Sequence, residues 1–367
     1  MYRRYLCFLF GLLGIAAAFG FDTVVSLEPL VGALTRVGGY SENEFGWNGV
    51  EEKFTRPLAE AGKLDRDYGV VVIGDSFSRP TTPDRQTGEG SFWTDFLAND
   101  TGLRVGVFDV AVTPVEQFLS SPSYRSHPPR LVILELVERT LRNRLAGPAN
   151  CADPGMSVAA RIDRMPDPFL PGGFRRLLAR RSIEGAASQA ADYLRKNIFR
   201  EFFRIDTTMA LRLPLSRSDL FSSRRPQDLL VFTDDLGKAA WSDDDWRAMR
   251  CRLAAYQREV AANGTTAFVF VLVPDKSTAY ARFLPPAPWL IDAAERLADL
   301  PGLNMPRLDL ALRSAIAGGT RDVYLPDDSH WSTTGSRIAA ETVLQYLRPG
   351  APPNPAPAGN GDATASR

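Results

Sequence analysis

Val70-Val71-Val72-Ile73-Gly74-Asp75-Ser76-Phe77-Ser78 is the stretch on which the fold turns. Four aliphatic residues without a polar interruption, closed by a Gly-Asp-Ser turn, read as a strand buried on both faces, the kind found in parallel sheets. The same pattern recurs at Val105–Val110, Leu131–Val137 and Ala267–Val273, and more weakly around Met305–Leu310. Helix-like stretches fall between them, at Phe92–Asn99, Pro114–Ser120, Asp243–Ala262 and Pro288–Leu300, and an amphipathic helix over Ser336–Leu347 closes the series. This alternation predicts an α/β protein, a parallel sheet covered by helices on both faces. Ser242 is placed to cap the helix after it, with Asp243, Asp244 and Asp245 in the positive field of the first turn. That role, and not metal binding, is the reading of the acidic triplet.

Composition narrows the function. The 367 residues are 44% hydrophobic and 10% aromatic, enough for a sizeable core. Lys+Arg 43 balances Asp+Glu 43, which argues against a dedicated nucleic-acid binder. Only His127 and His330 occur, so no multi-histidine zinc site can form. Cys7, Cys151 and Cys251 lack CxxC spacing, which excludes a zinc ribbon or a thioredoxin-type motif. In an oxidising compartment Cys151 and Cys251 are candidates to pair.

The ends of the chain differ from its middle. Arg3-Arg4 precedes an almost uncharged apolar run, Tyr5 to Phe21, the order of an export signal. Its 17 residues are the lower limit for a spanning helix, so residues 1–21 are expected to be a signal anchor or a signal peptide, with Ala16-Ala17-Ala18 as a cleavage site in the second case. The anchor reading places the protein in the periplasm, held in the inner membrane by residues 5–21. Residues 22–64 form an N-terminal lead-in and 65–348 the main domain. Residues 349–367, rich in Pro, Ala and Gly, are expected to be a disordered tail. Within the main domain, residues 141–226 exceed what a minimal α/β sheet requires. Residues 161–225 hold 14 Lys/Arg against 7 Asp/Glu, and Phe174–Phe203 looks helical. This basic helical insertion suits either an anionic polymer or membrane surface, or an ordinary solvated face.

In an open parallel sheet, ligands bind beyond the carboxyl ends of the strands. Ser76, at the end of the first strong strand, is therefore the expected nucleophile. Gly74 permits a tight turn there, and Asp75 completes the site-adjacent turn. A serine hydroxyl needs a positioned base. His330 stands in Leu325-Pro326-Asp327-Asp328-Ser329-His330-Trp331, with an acid two or three residues before it able to orient the imidazole. His127 precedes Pro128-Pro129 at the entrance to a strand, on the opposite edge, and reads as a surface residue.

The two motifs together resemble the SGNH (GDSL-type) hydrolase superfamily, over roughly residues 65–348. The resemblance implies a three-layer, flavodoxin-like sheet and a triad of Ser76, His330 and Asp328 or Asp327. Asp328-Ser329-His330-Trp331, with Gly335 following, is similar to the Asp-x-His-Trp signature of the alginate O-acetyltransferase (AlgX/AlgJ-type) group. Gly74–Ser78, Leu134–Arg139 and Val273–Tyr280 agree with that group as well. The group pattern favours Asp328 over Asp327. It implies an extracytoplasmic enzyme that adds acetyl groups to polysaccharide hydroxyls, supplied by a membrane-embedded acyltransferase, without metal or organic cofactor.

Two departures stand out. The alginate enzymes place the Asp-His pair before the serine, whereas this chain keeps the ordinary SGNH order; geometry, not chain order, makes a triad. The usual glycine and asparagine of the oxyanion hole are not evident. Candidate donors are the Ser76 amide, an amide near Ala111–Thr113, and the Arg139 guanidinium. Glu135 and Arg139 stand either in the site or as an ion pair at a strand end. Lys276 faces either the site or solvent, and Trp331 either packs beside the site or stacks on a sugar. Competing functions are an esterase with the same triad, in which water replaces the sugar, and a non-catalytic scaffold of a polysaccharide-modifying complex.

Overall fold

A computed structural model of the protein describes residues 2–26, 32–79, 90–145, 192, 193, 195, 196, 208–298, 300 and 302–348. Its centre is a five-stranded, wholly parallel sheet of β1 (Glu60–Ala61), β2 (Val70–Gly74), β3 (Val105–Asp109), β4 (Leu131–Val137) and β7 (Ala267–Val273), in the order β1-β3-β2-β4-β7. A separate antiparallel pair joins β5 (Ala210–Pro214) to β6 (Asp228–Phe232).

Strand periodicity divides the sheet's side chains between two cores. Val70, Val72, Val105, Val107, Ile133, Val269 and Val271 face one side. There they meet α4 (Trp93–Thr101), α11 (Leu308–Ala317) and α12 (Thr333–Leu347). Val71, Ile73, Phe108, Val132, Leu134, Phe268 and Phe270 face the other, against α5 (Val115–Leu119), α8 (Asp243–Ala261) and α10 (Ala293–Ala298). This is the α/β arrangement with helices on both faces that the strand–helix alternation predicts, and it is consistent with the SGNH-like fold that the resemblance implies. The cap of α8 also forms as expected: Ser242 accepts from the Asp245 amide at 3.1 Å while Asp245 accepts from the Ser242 amide at 2.8 Å.

One strand differs. Met305–Leu310 does not join the sheet. Asn304, just before it, reaches β7, its carbonyl accepting from Phe270 N at 2.8 Å and its side-chain amide donating to the Phe268 carbonyl at 3.0 Å. Pro306 has no N–H to continue a ladder, and α11 begins at Leu308. The fifth strand is instead the two-residue β1, on the opposite edge.

The lead-in forms α2 (Ala33–Gly38) and α3 (Glu42–Phe45). Ala33, Leu34, Tyr40 and Phe45 bury against Ala210, Leu230 and Phe232, a third core that ties the lead-in to the β5–β6 pair. Most of the basic insertion, including nearly all of the helix expected at 174–203, lies outside the described residues, as does the tail at 349–367; residues 192, 193, 195 and 196 are helical. Cys251 is disulfide-bonded and Cys7 is free, while Cys151 lies outside the described residues.

The N-terminal segment is helical as α1 (Tyr2–Ser26), with Tyr5, Phe8, Phe10, Leu12, Leu13 and Ile15 exposed. Among the described residues, however, no helix is long and apolar enough to cross a membrane. The anchor expected at residues 5–21 therefore gains no support from the fold. The side chains of residues 17–26, which would complete the apolar run, are not among those described.

Candidate active site

The parallel register sets the nucleophile turn. Val70 to Ile73 lie opposite Leu131 to Leu134, so the chain leaves β2 at Gly74-Asp75 alongside Glu135, which is still within β4. Glu135 is fully buried and holds the turn: its Oε2 accepts from the Asp75 amide at 3.0 Å and from Ser78 Oγ at 2.7 Å. A Cβ at residue 74 would overlap Ser78 Oγ and Glu135, so only glycine fits under this carboxyl. Trp93 Nε1 donates to Ser78 Oγ at 3.1 Å from the far side. Burial and the neighbouring Asp75 charge push the Glu135 carboxyl well above the usual range. Asp75 closes the turn by accepting from Phe77 N at 3.0 Å and from Val137 N at 3.2 Å.

Ser76, at the tip, points at the second motif. Ser76 Oγ lies 2.8 Å from His330 Nε2, and His330 Nδ1 lies 2.6 Å from Asp328 Oδ1. An ionised carboxylate only accepts, so Nδ1 carries the imidazole proton and Nε2 is left as the acceptor for the serine hydroxyl. The same Asp328 oxygen accepts from the amides of Ser329 at 2.6 Å and His330 at 3.2 Å. Phe77 packs against the imidazole with ring centroids 4.6 Å apart and meets Trp331 edge-on at 4.9 Å.

Of the two acids open in the sequence, Asp328 is the one brought to the imidazole. Asp327 turns the other way, its carboxyl facing Glu42 of the lead-in. Burial and that second acid push it well above its ordinary value. Trp331, 1% exposed, is a packing residue and offers no ring to a sugar.

Lys276 is likewise buried and does not reach solvent. Its Nζ donates to the carbonyls of Leu325 at 2.7 Å, Pro326 at 3.0 Å and Asp328 at 3.0 Å, pinning the loop that presents His330. Burial pulls its ammonium down to about 7, against the opposing charges of Asp327 and Asp328.

Glu135 and Arg139 do not pair with each other. Arg139 turns to Asp275, with Nη1 2.9 Å from Oδ1, and approaches Asp235 at 3.6 Å. It stays 13% exposed beside the site and donates to Ser329 Oγ at 3.5 Å. The sequence reading missed the buried charges behind it. Lys238 Nζ donates to Glu138 at 2.6 Å, Asp275 at 2.5 Å and Thr278 at 3.0 Å. Glu138 follows β4 and Asp275 follows β7, so this cluster ties together the two strand ends under the site. Their positions after strands were a usable signal; nothing in the sequence pointed to Lys238.

Asp235 behaves differently from its neighbours. Burial and the Asp275 charge push its carboxyl up to about 8 despite Arg139 and Lys238. Between its ordinary 3.8 and about 8, the folded protein therefore holds a proton that the unfolded chain has released. Stability contributed by this group is lost as pH rises through that window. Asp235→Asn, which carries no such ionisation, should gain on wild type in melting temperature as pH rises from 4.5 to 8. An equal difference at both ends would contradict the shift.

The expected amides near Ala111–Thr113 are committed elsewhere. Ala111 N donates to Asp109 Oδ1 at 2.8 Å, and the amides of Val112 and Thr113 donate to the Asp109 carbonyl at 3.0 and 2.7 Å. This turn folds onto its own aspartate, so it offers an oxyanion none of these three donors. His127 is an exposed residue 3.5 Å from Asp67, remote from the site.

Residues 229–364 match the model of a family described as an SGNH hydrolase-like domain, acetyltransferase AlgX. The matched stretch holds Lys276, Asp328, His330 and Trp331, whereas Ser76, Glu135 and Arg139 lie before it. No curated protein and no solved structure matches the chain.

Proposed function

We propose, from an SGNH hydrolase-like domain of the AlgX acetyltransferase description joined to an upstream serine, that this protein is an extracytoplasmic O-acetyltransferase acting on polysaccharide hydroxyls. The observation that carries the reading is the continuous line from Ser76 Oγ through His330 to Asp328, at 2.8 and 2.6 Å. Ser76 is the nucleophile, His330 the general base and Asp328 the acid that orients the imidazole.

In the first half-reaction Ser76 Oγ bonds to the acetyl carbonyl carbon and its proton moves to His330 Nε2. The bond to the donor's leaving atom, oxygen in an ester or sulfur in a thioester, breaks, and that atom takes the proton from His330. In the second, His330 takes the proton of a sugar hydroxyl, the sugar oxygen bonds to the acetyl carbon, and Ser76 leaves with the proton restored. Asp328 keeps Nδ1 protonated throughout. The donor is an acetyl ester or thioester, delivered at the membrane by an integral acyltransferase. Arg139, the cation at the rim, is the candidate side-chain donor to the carbonyl oxygen. Arg3-Arg4 and the apolar run behind them support export.

The test uses the full chain in mild detergent with a chromogenic acetyl ester and a mixture of oligosaccharides. Sugars heavier by one acetyl group, together with a transient acetyl adduct on Ser76 by mass spectrometry, are the expected result. Free acetate with unmodified sugars would make the protein an esterase. No adduct and no turnover would leave the scaffold reading.

A further inference from the structure

The catalytic acid has a second oxygen, and the lead-in meets it. Asp328 Oδ2 accepts a hydrogen bond from the Ala33 amide at 3.0 Å, across 295 residues of sequence. The next two amides, Leu34 and Thr35, donate to the Asp327 carbonyl at 3.0 and 3.2 Å. Gly32 sits against this carbonyl so closely that a Cβ there would overlap it. On the other side, Gly32 N donates to Glu42 Oε1 at 2.9 Å, and Thr35 Oγ1 donates to the same carboxyl oxygen. Leu34 and Phe45 anchor the segment in the third core, where neither is exposed.

We infer that residues 32–35 form a strap whose Ala33 amide is a positioning group for Asp328. The inference rests on the triad reading above and adds a fourth participant to it. Asp328 Oδ1 is already used by His330 and by two neighbouring amides. The rotation of the carboxyl about its own bond is then fixed by what holds Oδ2. Without the strap the carboxyl loses its Ala33 donor on the Oδ2 edge, and an imidazole aligned by a less firmly held acid is a poorer base. Lys276 holds the same loop from beneath through three carbonyls, so the loop is gripped on both sides. The strap's own charged neighbours are Glu42 and Asp327, which face each other beside it.

A single substitution removes the strap's hydrogen bond to Asp328. Ala33 is the first residue of α2, a position that proline favours, and Gly32 before it has the extended backbone (φ −70°, ψ 143°) that proline demands of its predecessor. Ala33→Pro replaces the N–H proton with the ring Cδ, which cannot donate and crowds Asp328 Oδ2, whereas Ala33→Ser keeps the N–H. In the full-length protein, Ala33→Pro is expected to lower kcat about tenfold with KM little changed, the scale of one lost hydrogen bond to a charged group. The acid limb of its kcat–pH profile should move to higher pH, because an Asp328 short of one donor holds the protonated imidazole more tightly. Ala33→Ser should behave as wild type.

Should Ala33→Pro fail to fold by circular dichroism, Gly32→Ala, which pushes the strap off by overlap, replaces it under the same criteria. A folded variant with wild-type kcat and an unmoved acid limb would overturn the inference. Amide hydrogen exchange of Ala33 separates this from failure of the triad reading. Exchange should quicken in Asp328→Ala whether or not the protein turns over ester, and an unchanged rate would mean that no such bond exists.

Discussion

Ser76→Ala and His330→Ala are each expected to cut acetyl-ester turnover by on the order of 10⁶-fold, and the double variant should fall no further. The non-additivity is the informative part. Ser76 Oγ and His330 Nε2, 2.8 Å apart, form one device: a serine without a base is an alcohol, and a base without the serine has nothing to deprotonate. Stability should change far less than activity, since neither side chain belongs to the two apolar cores that hold the sheet. The measurement is kcat/KM for the two single variants and the double, with thermal melts alongside. A His330→Ala enzyme retaining near-wild-type turnover would remove the imidazole from the mechanism, and an additive double variant would mean that the two residues act separately.

The second large effect separates neighbours in sequence. Asp328→Asn should lower kcat by about 10⁴-fold, while Asp327→Asn should cost less than about tenfold. An amide at 328 can present its NH₂ to Nδ1, which then takes the acceptor role and leaves Nε2 protonated, the wrong tautomer for receiving the serine proton. Asp327 meets Glu42 instead, and its carboxyl is held toward its neutral form, for which asparagine is a fair substitute. Steady-state kinetics of the two asparagine variants on one acetyl ester decide the matter. Equal losses, or a greater loss at 327, would reassign the acid.

Much of this arrangement was legible in the sequence, for physical reasons. Four of the five strands of the sheet are mostly apolar runs, because a strand covered by helices on both faces has no solvent-facing side, and Glu135 in β4 is the buried exception. Ser76, His330 and Asp328 were readable because the chemistry demands their types and the parallel sheet dictates their edge. Their meeting depends on contacts 254 residues apart, which no local pattern encodes. What failed was of two kinds. Met305–Leu310 has strand composition, but its backbone cannot extend a ladder past Pro306. Lys276 and Glu135 carry no mark of burial in the sequence; each is buried because a particular loop needed a donor or an acceptor there, while Trp331 takes the packing role that the sequence left open beside sugar stacking. The lead-in was opaque for a further reason. Ala33 works through its backbone amide, and a backbone amide is common to every residue except proline.

The distance along the chain between nucleophile and base has a consequence for biosynthesis. Residue 76 leaves the ribosome early, while its base and the acid behind it come almost at the end, in the turn before α12. Every nascent or prematurely ended chain therefore bears a serine with no partner. On the triad reading, such a chain lacks the base for Ser76, and the three residues come together only once the turn before α12 has folded against residue 76.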